Sequence, residues 1–269
     1  MLNGAGGIGA AIIVITSLAA LFAPWVAPYD PVALDPPARL LGPPAEHWLG
    51  TDQYGRDTLS RIIYGGRASL SVAAAATLFA LLVGGALGVV AAYYRGWLDG
   101  LIMRVTDVLL SFPAILLAIA LLAFLGQGMV NLVLAIGLVY VGPFARVARA
   151  AVLTVREELF VEASRSLGSR DWRVLLKAVL PMASAPLIVE VTLRLAYGIL
   201  AEASLSFLGL GTQPPAASWG LMVAEGRRFL QLSPWATVAP GLAIMVVVLG
   251  FNLFGDALRD ALDPRTRGR

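Results

Sequence analysis

The sequence predicts an all-α membrane protein of six transmembrane helices, with both termini in the cytoplasm. Of its 269 residues, 58% are hydrophobic and 14% are charged, whereas a soluble domain is about half apolar and about one-quarter charged. Six segments reach the roughly 20 apolar residues that a helix needs to cross a bilayer. None of them shows the period-two alternation of barrel strands, which excludes a transmembrane β-barrel.

The predicted spans are residues 7–27, 69–94, 108–126, 129–145, about 184–208 and 236–255. The first lacks the basic start of a signal peptide and has too long an apolar run, so we expect a retained helix. Kinks are expected at Pro113, Pro143 and Pro240. Gly84 and Gly88 have the G-x-x-x-G spacing, which permits close helix packing or reflects chance in a glycine-rich chain.

An even number of spans places both termini on one side of the membrane. Most Lys and Arg residues lie between spans two and three, between spans four and five, and in the tail, so the positive-inside rule assigns these segments to the cytoplasm. On the opposite side, residues 28–68 are proline-rich and are expected to be irregular until a helix begins near Asp57. Residues 210–235 include apolar residues at helical spacing, which predict a short interfacial helix.

We therefore divide the chain into two parts. Residues 1–68 form the first transmembrane helix and an extracytoplasmic loop. Residues 69–269 form a five-helix core, whose longest cytoplasmic loop spans about residues 146–181. A multi-pass protein of the cell (inner or plasma) membrane is expected.

The composition also limits the chemistry. The chain contains no cysteine and a single histidine, His47, which argues against thiolate or histidine metal sites and against Cys- or His-dependent catalysis. We interpret His47 as an ordinary loop residue. No G-x-x-x-x-G-K-[ST] phosphate-binding motif is present, so we expect no ATP hydrolysis by this chain, no cofactor or metal on it, and no nucleic-acid partner.

The segment 161–181, VEASRSLGSRDWRVLLKAVLP, is one of the most charged in the chain. Gly168 predicts the end of one helix, Ser169 or Asp171 is expected to cap a second one, and Pro181 is expected to separate the second from the next span. This pattern suits docking to a cytoplasmic partner. The alternative is that the basic loop only sets the topology.

The order of residues in this segment resembles the EAA loop of ATP-binding-cassette (ABC) importer permeases. That pattern is Glu-Ala-Ala, three residues, Gly, nine residues, Ile, one residue, Leu-Pro. The matching positions are Glu162, Ala163, Ser164, Gly168, Leu180 and Pro181. Ser164 replaces the second alanine and Ala178 stands at the isoleucine position. Both residues are small, so the docking helix is expected to persist, with looser packing at position 178.

Further stretches extend the resemblance over nearly the whole chain. Residues 49–57 (LGTDQYGRD), 22–31 and 251–264 are similar to those of the dipeptide, oligopeptide and nickel permease family, in its second type of permease subunit. The outer-face motif within the first stretch consists of Gly50, Thr51, Asp52, Gly55, Arg56 and Asp57. Its charged residues are expected to form a network on the outer face, either for structure or for contact with a binding protein.

The resemblance implies a set of partners. A homologous second permease subunit would complete the pathway, and two ATP-binding-cassette subunits would hold ATP and Mg and receive one coupling helix from each permease. A solute-binding protein would deliver the substrate from outside. In this sequence the coupling helix would fall within about residues 161–169.

Three charged residues, Glu190, Arg194 and Glu202, lie within the fifth predicted span, where charges are costly and usually face a partner or water. Glu190 and Arg194 are four residues apart and can pair along one helix face, and Glu202 is expected on roughly the same side. The sequence leaves open a structural or inter-subunit pair and a pore-lining role.

The function we infer is that of an ABC importer permease for di- or oligopeptides. A self-contained secondary transporter or channel is the alternative, but it predicts inverted repeats that the sequence lacks. A membrane-embedded enzyme would need a catalytic constellation such as G-x-S-x-G, which is absent. Peptides are the commonest substrates implied by the resemblance, with nickel complexes or glutathione as alternatives.

Overall fold

A computed structural model describes residues 4–43 and 46–262, and within them every regular element is helical, apart from an isolated bridge between Thr51 and Asp57. The helices are α1 (Gly4–Leu21), α2 (Ala23–Val26), α3 (Thr58–Tyr94), α4 (Gly96–Leu110), α5 (Ala114–Leu125), α6 (Met129–Arg156), α7 (Leu159–Ser166), α8 (Asp171–Val174), α9 (Leu180–Phe207), α10 (Trp219–Gly226) and α11 (Trp235–Leu262). The all-α prediction is confirmed. The end of the predicted tail, from Asp263 onward, lies outside the described residues.

Among the described residues, five unbroken helices are long and apolar enough to cross a membrane. They are α1, α3, α6, the helix Asp171–Phe207 that contains α8 and α9, and α11. The third predicted span is not a straight helix, because α4 and α5 meet at 93°. Pro113 stands directly before α5 and disfavours a helical conformation at Phe112. The prediction of six spans holds when this bent pair counts as one.

The prediction that Pro181 would separate the loop helix from the fifth span is wrong. Residues Leu175–Val179 form a π-helical segment, and Pro181 is the second residue of α9, so the helix from Asp171 to Phe207 is continuous over 37 residues. Proline clashes with the carbonyl four residues before it, here that of Lys177, in a regular α-helix. The wider turn of a π-helix directly before Pro181 accounts for the continuity.

The most extensive helix packing among the described residues joins α3 to α6. A Cβ atom added at Gly84 would overlap the carbonyl oxygen of Val141, and one added at Gly88 would overlap that of Ala145. The G-x-x-x-G spacing therefore does bring two backbones together, as small residues permit in membranes. The buried side chains of this contact continue into the main core, which includes Val72, Ala76, Leu132, Ile136, Phe144, Ala148 and Val152.

The bundle has two ends that carry different polar features. We call the end with the α3–α4 junction, α7 and Gly168 the Gly168 end. The opposite end, which we call the Glu225 end, is formed by the loop before α3 and by α10.

The short helix predicted after Pro215 is present as α10, which Ser218 caps by accepting a hydrogen bond from the backbone of Leu221 at 3.3 Å. Its expected place at the membrane interface stays a prediction. The first four residues of α10, Trp219 to Met222, are buried, and a Cβ atom at Gly220 would meet the backbone of Ala203 in α9. The helix is part of the core because its glycine allows α9 to approach.

Candidate functional site

The surface of the Gly168 end presents α7. Leu159 and Leu167 are 81% and 87% exposed, and Glu162 and Ala163 are also exposed, whereas Val161 is buried in the core. An exposed apolar side chain at each end of a short helix, with an exposed carboxylate between them, is a surface suited to a protein partner. We call α7 together with Leu167 and Gly168 the loop surface.

Gly168 ends α7 as the sequence predicted. Its φ is +78°, and the backbone N–H of Ser169 donates to the carbonyl of Ser164 at 3.2 Å, a bond typical of helices that close with a left-handed glycine. A Cβ atom at Gly168 would meet nothing within 4 Å. The glycine is therefore required by the backbone conformation and not by lack of space. The expected cap at Ser169 or Asp171 is wrong, since Arg170 occupies the N-cap of α8 and makes no side-chain cap bond.

The loop surface is fixed to the ends of the long helices by polar contacts. The Tyr93 hydroxyl donates to Asp171 Oδ1 at 2.9 Å, and Arg156 donates to the carbonyl of Ala92 at 3.0 Å. Arg95 pairs with Glu157 at 2.5 Å. These bonds join the residues on both sides of α7 to the end of α3. The loop surface is therefore held in a fixed position against the helix bundle.

The structure divides the residues that were predicted for coupling. Glu162 and Ala163 are exposed, and Ser164, which is half-buried, donates its hydroxyl hydrogen to the carbonyl of Phe160 at 2.8 Å. Ala178 and Leu180, in contrast, pack against the main core. The first part of the motif therefore faces outward, while the second part, apart from the exposed Pro181, anchors the helix that follows.

The Glu225 end contains a network of four charged side chains, of which Glu225 is 17% exposed and the other three are buried. Arg56 Nε donates to Asp52 Oδ2 at 2.6 Å, and Arg61 Nε lies 3.4 Å from the same oxygen. A terminal nitrogen of each arginine lies 3.1 Å from Glu225 Oε2. The predicted pairing of Asp52 with Arg56 is present within this chain, but Asp57 does not join the network, and Arg61 and Glu225 were missed.

Arg61 and Glu225 were missed for a simple reason. Arg61 and Glu225 are 164 residues apart in the chain, so no local spacing connects them. Their contact fixes the first turn of α3 to α10, and the bond from Arg56 to Glu225 fixes the loop before α3 to the same helix.

The rest of the outer-face motif shapes the same loop. Asp57 caps α3, since its Oδ2 accepts from the backbone of Ser60 at 2.7 Å, and its Oδ1 lies 2.9 Å from His47 Nδ1. His47 lies in a loop, as predicted, but it is buried against the cap and has a structural contact there. Gly50 and Gly55 have φ values of +71° and +77°. The hydroxyl of the buried Thr51 donates to the carbonyl of Ala38. Exposed neighbours of this loop are Trp48 and Tyr54.

Within α9, Glu190 and Arg194 form the predicted pair, with Arg194 Nε donating to Glu190 Oε1 at 2.6 Å. The guanidinium lies 5.2 Å from the ring centre of Tyr140 and 5.8 Å from that of Tyr197. Tyr140, Arg194 and Tyr197 line a cavity of about 390 Å³ between α5, α6 and α9. We call it the Arg194 cavity.

Glu202 does not join this pair, contrary to expectation. It is fully buried and accepts hydrogen bonds from the hydroxyls of Ser69, at 2.7 Å, and Ser206, at 2.6 Å. Ser69 also accepts from the backbone of Trp219 at 3.3 Å. The carboxyl group of Glu202 therefore joins α3, α9 and the start of α10. Eight residues are not a whole number of helical turns, so the Glu202 side chain is rotated away from Arg194.

Residues 84–268 match the family described as "Binding-protein-dependent transport system inner membrane component". The chain belongs to that family. Residues 3–44 match the "N-terminal TM domain of oligopeptide transport permease C". The protein is accordingly a permease subunit of an ABC importer and a multi-pass protein of the inner membrane.

Relatives and solved structures agree with this assignment. The chain is 47% identical to a dipeptide transport system permease protein, DppC, of Alkalihalophilus pseudofirmus, over 95% of this chain and 85% of that one. It is 43% identical to a glutathione transport system permease protein, GsiD, of Escherichia coli, over 96% and 86%. An inward-facing structure of the MetNI methionine ABC transporter matches with a TM-score of 0.64 at 18% identity, covering 76% of this chain and 97% of that chain. The fold is that of a type I ABC importer permease.

Proposed function

We propose that this permease subunit forms half of the translocation pathway for di- or oligopeptides, which a solute-binding protein delivers and ATP hydrolysis by partner subunits drives inward. The observation that carries the substrate class is the 47% identity to a dipeptide permease over nearly the whole chain. Glutathione is the second candidate, because glutathione permeases are 43% identical over a similar length.

We also propose the orientation and the partners. The Gly168 end faces the cytoplasm, and the loop surface docks on one of two ATPase subunits, which hold ATP and Mg. The support is the exposed Leu159, Glu162 and Leu167 on a helix that is bonded to the end of α3. A homologous permease covers the exposed side of α9, where Tyr197, Leu200 and, directly after the helix, Leu208 are exposed.

The two parts of the chain have separate roles in this proposal. Residues 1–68 form an added helix with an extracytoplasmic loop, and residues 69–269 form the five-helix core with its coupling loop at about 146–181. The outer-face motif shapes the surface that receives the binding protein. Its charged members are buried, so we assign direct contact to exposed neighbours such as Trp48 and Tyr54.

Co-purification and reconstitution test this function. The tagged chain is purified in mild detergent from its native host, and the recovered complex is placed in proteoliposomes with the binding protein. Uptake of a labelled dipeptide that requires ATP is the expected result, and unlabelled glutathione in competition measures the second candidate. Recovery of the chain alone, with transport that needs no ATP, would support a self-contained transporter instead.

A further inference from the structure

The Arg194 cavity combines an apolar wall with a small set of polar groups. Its polar members are Tyr140, Arg194, Tyr197 and Ser204, and the remaining lining residues are alanine, isoleucine, leucine and valine. No carboxylate is among the described residues that line it. About 390 Å³ lies within the range of roughly 300–1,000 Å³ that small-molecule sites occupy.

Arg194 is held in place without using all of its hydrogen-bond donors. Glu190 fixes the guanidinium through Nε, and two tyrosine rings lie within 6 Å of it, a distance at which aromatic faces attract a cation. Within the residues that the structure describes, no acceptor is bonded to the two terminal nitrogens of Arg194. The side chain is 24% exposed, so these nitrogens can be reached from the cavity.

Glu190 offsets only part of this positive charge on the cavity side, because it is bonded to Nε and not to the two terminal nitrogens. Its carboxylate lines a different cavity, of about 580 Å³, between α6, α9 and α11. The acidic and basic members of the pair therefore face two separate spaces. A ligand in the Arg194 cavity meets a guanidinium fork, which matches the planar shape of a carboxylate.

We propose that the Arg194 cavity binds the terminal carboxylate of a peptide in transit, with Arg194 as the anionic-group anchor and the apolar wall against the peptide side chains. This inference rests on the proposed function and adds to it the group that the pathway recognises. A permease that carries peptides of varied sequence must bind a feature that all of them share, and the terminal carboxylate is such a feature. Smooth apolar walls tolerate varied side chains.

A carboxylate from the second permease subunit would have the same chemistry as the peptide carboxylate. The two sources predict different results. A peptide anchor distinguishes a peptide acid from its amide, whereas a contact between subunits does not. The test therefore compares a dipeptide with its C-terminal amide.

The first measurement uses the wild-type permease–ATPase complex without a binding protein, so that the selectivity of the binding protein does not enter. A labelled dipeptide is bound at equilibrium, and the unlabelled acid and the amide compete with it. We expect the acid to compete about tenfold better, the factor for one charge-assisted hydrogen bond of modest strength. Equal competition, or no measurable dipeptide binding, would overturn the proposal without any variant.

The second measurement uses the variants Arg194→Gln, Arg194→Lys and Glu190→Gln in the same assay and in ATP-driven uptake. Arg194→Gln is expected to reduce the preference for the acid to about twofold or less, and Arg194→Lys is expected to retain part of it. Glu190→Gln is the matched control, because it breaks the same ion pair but leaves the guanidinium, so the preference is expected to persist. Co-purification of the second permease shows whether each complex is assembled.

Two outcomes distinguish a failure of this inference from a failure of the proposed function. If the Arg194 and Glu190 variants lower uptake of acid and amide by the same factor, the pair is structural and the inference fails while peptide transport stands. If the wild-type complex, with its binding protein, takes up no peptide at all, the proposed substrate class fails.

Discussion

Replacement of Glu225 by glutamine is expected to destabilise the protein by about 3 kcal/mol, because it removes a charge but keeps the size of the side chain. Glu225 Oε2 lies 3.1 Å from terminal nitrogens of Arg56 and Arg61, whose side chains are 5% and 1% exposed. At an effective dielectric constant of about 20, two charges about 4 Å apart interact by about 4 kcal/mol. Asp52 still faces both arginines, which places the loss at the lower end of the roughly 3–5 kcal/mol typical of a broken buried pair.

Thermal unfolding of the detergent-purified complex measures this loss. At roughly 2–4 °C per kcal/mol for a chain of this size, the midpoint is expected to fall by about 6–12 °C. The matched control is Arg146→Gln, which breaks a pair of similar length, 2.6 Å to Asp107, between side chains that are 54% and 59% exposed. Such pairs contribute about 0–1 kcal/mol, so a fall of no more than about 4 °C is expected.

A double variant tests whether the charges act together. Arg61→Gln combined with Glu225→Gln is expected to lose less stability than the two single changes added, because their charges face each other. Equal shifts for Glu225→Gln and Arg146→Gln, or strictly additive losses, would refute the reasoning that the buried network fixes this end of the bundle.

Two further changes test the packing and the loop. Gly88→Ala is expected to destabilise the protein by about 1–3 kcal/mol in thermal unfolding, since its Cβ would overlap the carbonyl of Ala145. Gly85→Ala is the control, because its Cβ would meet only a side-chain atom 3.8 Å away. Similar shifts of the midpoint for both variants would contradict the close approach of the two helices. Gly168→Pro is expected to abolish ATP-driven uptake while the chain still inserts, because proline cannot adopt a φ of +78°. Gly168→Asn, which tolerates that conformation, is expected to keep most activity, and normal uptake by the proline variant would argue against the coupling role.

The sequence predicted the features that depend on local chemistry. The apolar runs gave the straight spans, Asp57 marked the start of α3, and Gly168 marked the end of α7. The spacing of Glu190 and Arg194 correctly predicted their pair. The spans follow from continuous apolar composition, and the other features involve residues within about one or two helical turns, where the periodicity of the helix decides which side chains meet.

The features that were missed depend on contacts between residues far apart in the sequence, or on whether a proline breaks a helix or is accommodated in it. The bond between Arg61 and Glu225 crosses 164 residues, and the turn of Glu202 toward Ser69 depends on how α3 packs against α9. Pro181 commonly ends a helix, but here a π-helical segment precedes it. Whether a proline breaks a helix or is absorbed by a wider turn is decided by packing on the following residues, which the sequence does not display.

The unbroken helix from Asp171 to Phe207 has a mechanical consequence. One end lies beside α7 and is bonded to Tyr93, and Arg194 stands 23 residues further on, about 35 Å away at 1.5 Å per residue. A hinge at Pro181 would bend when the loop surface moves and would leave Arg194 in place. A continuous helix instead transmits that movement to Arg194. A tilt of about 5° around Asp171 moves Arg194 sideways by about 3 Å, which is roughly the length of one hydrogen bond. A small rotation at the loop surface would be enough to make or release a contact in the Arg194 cavity.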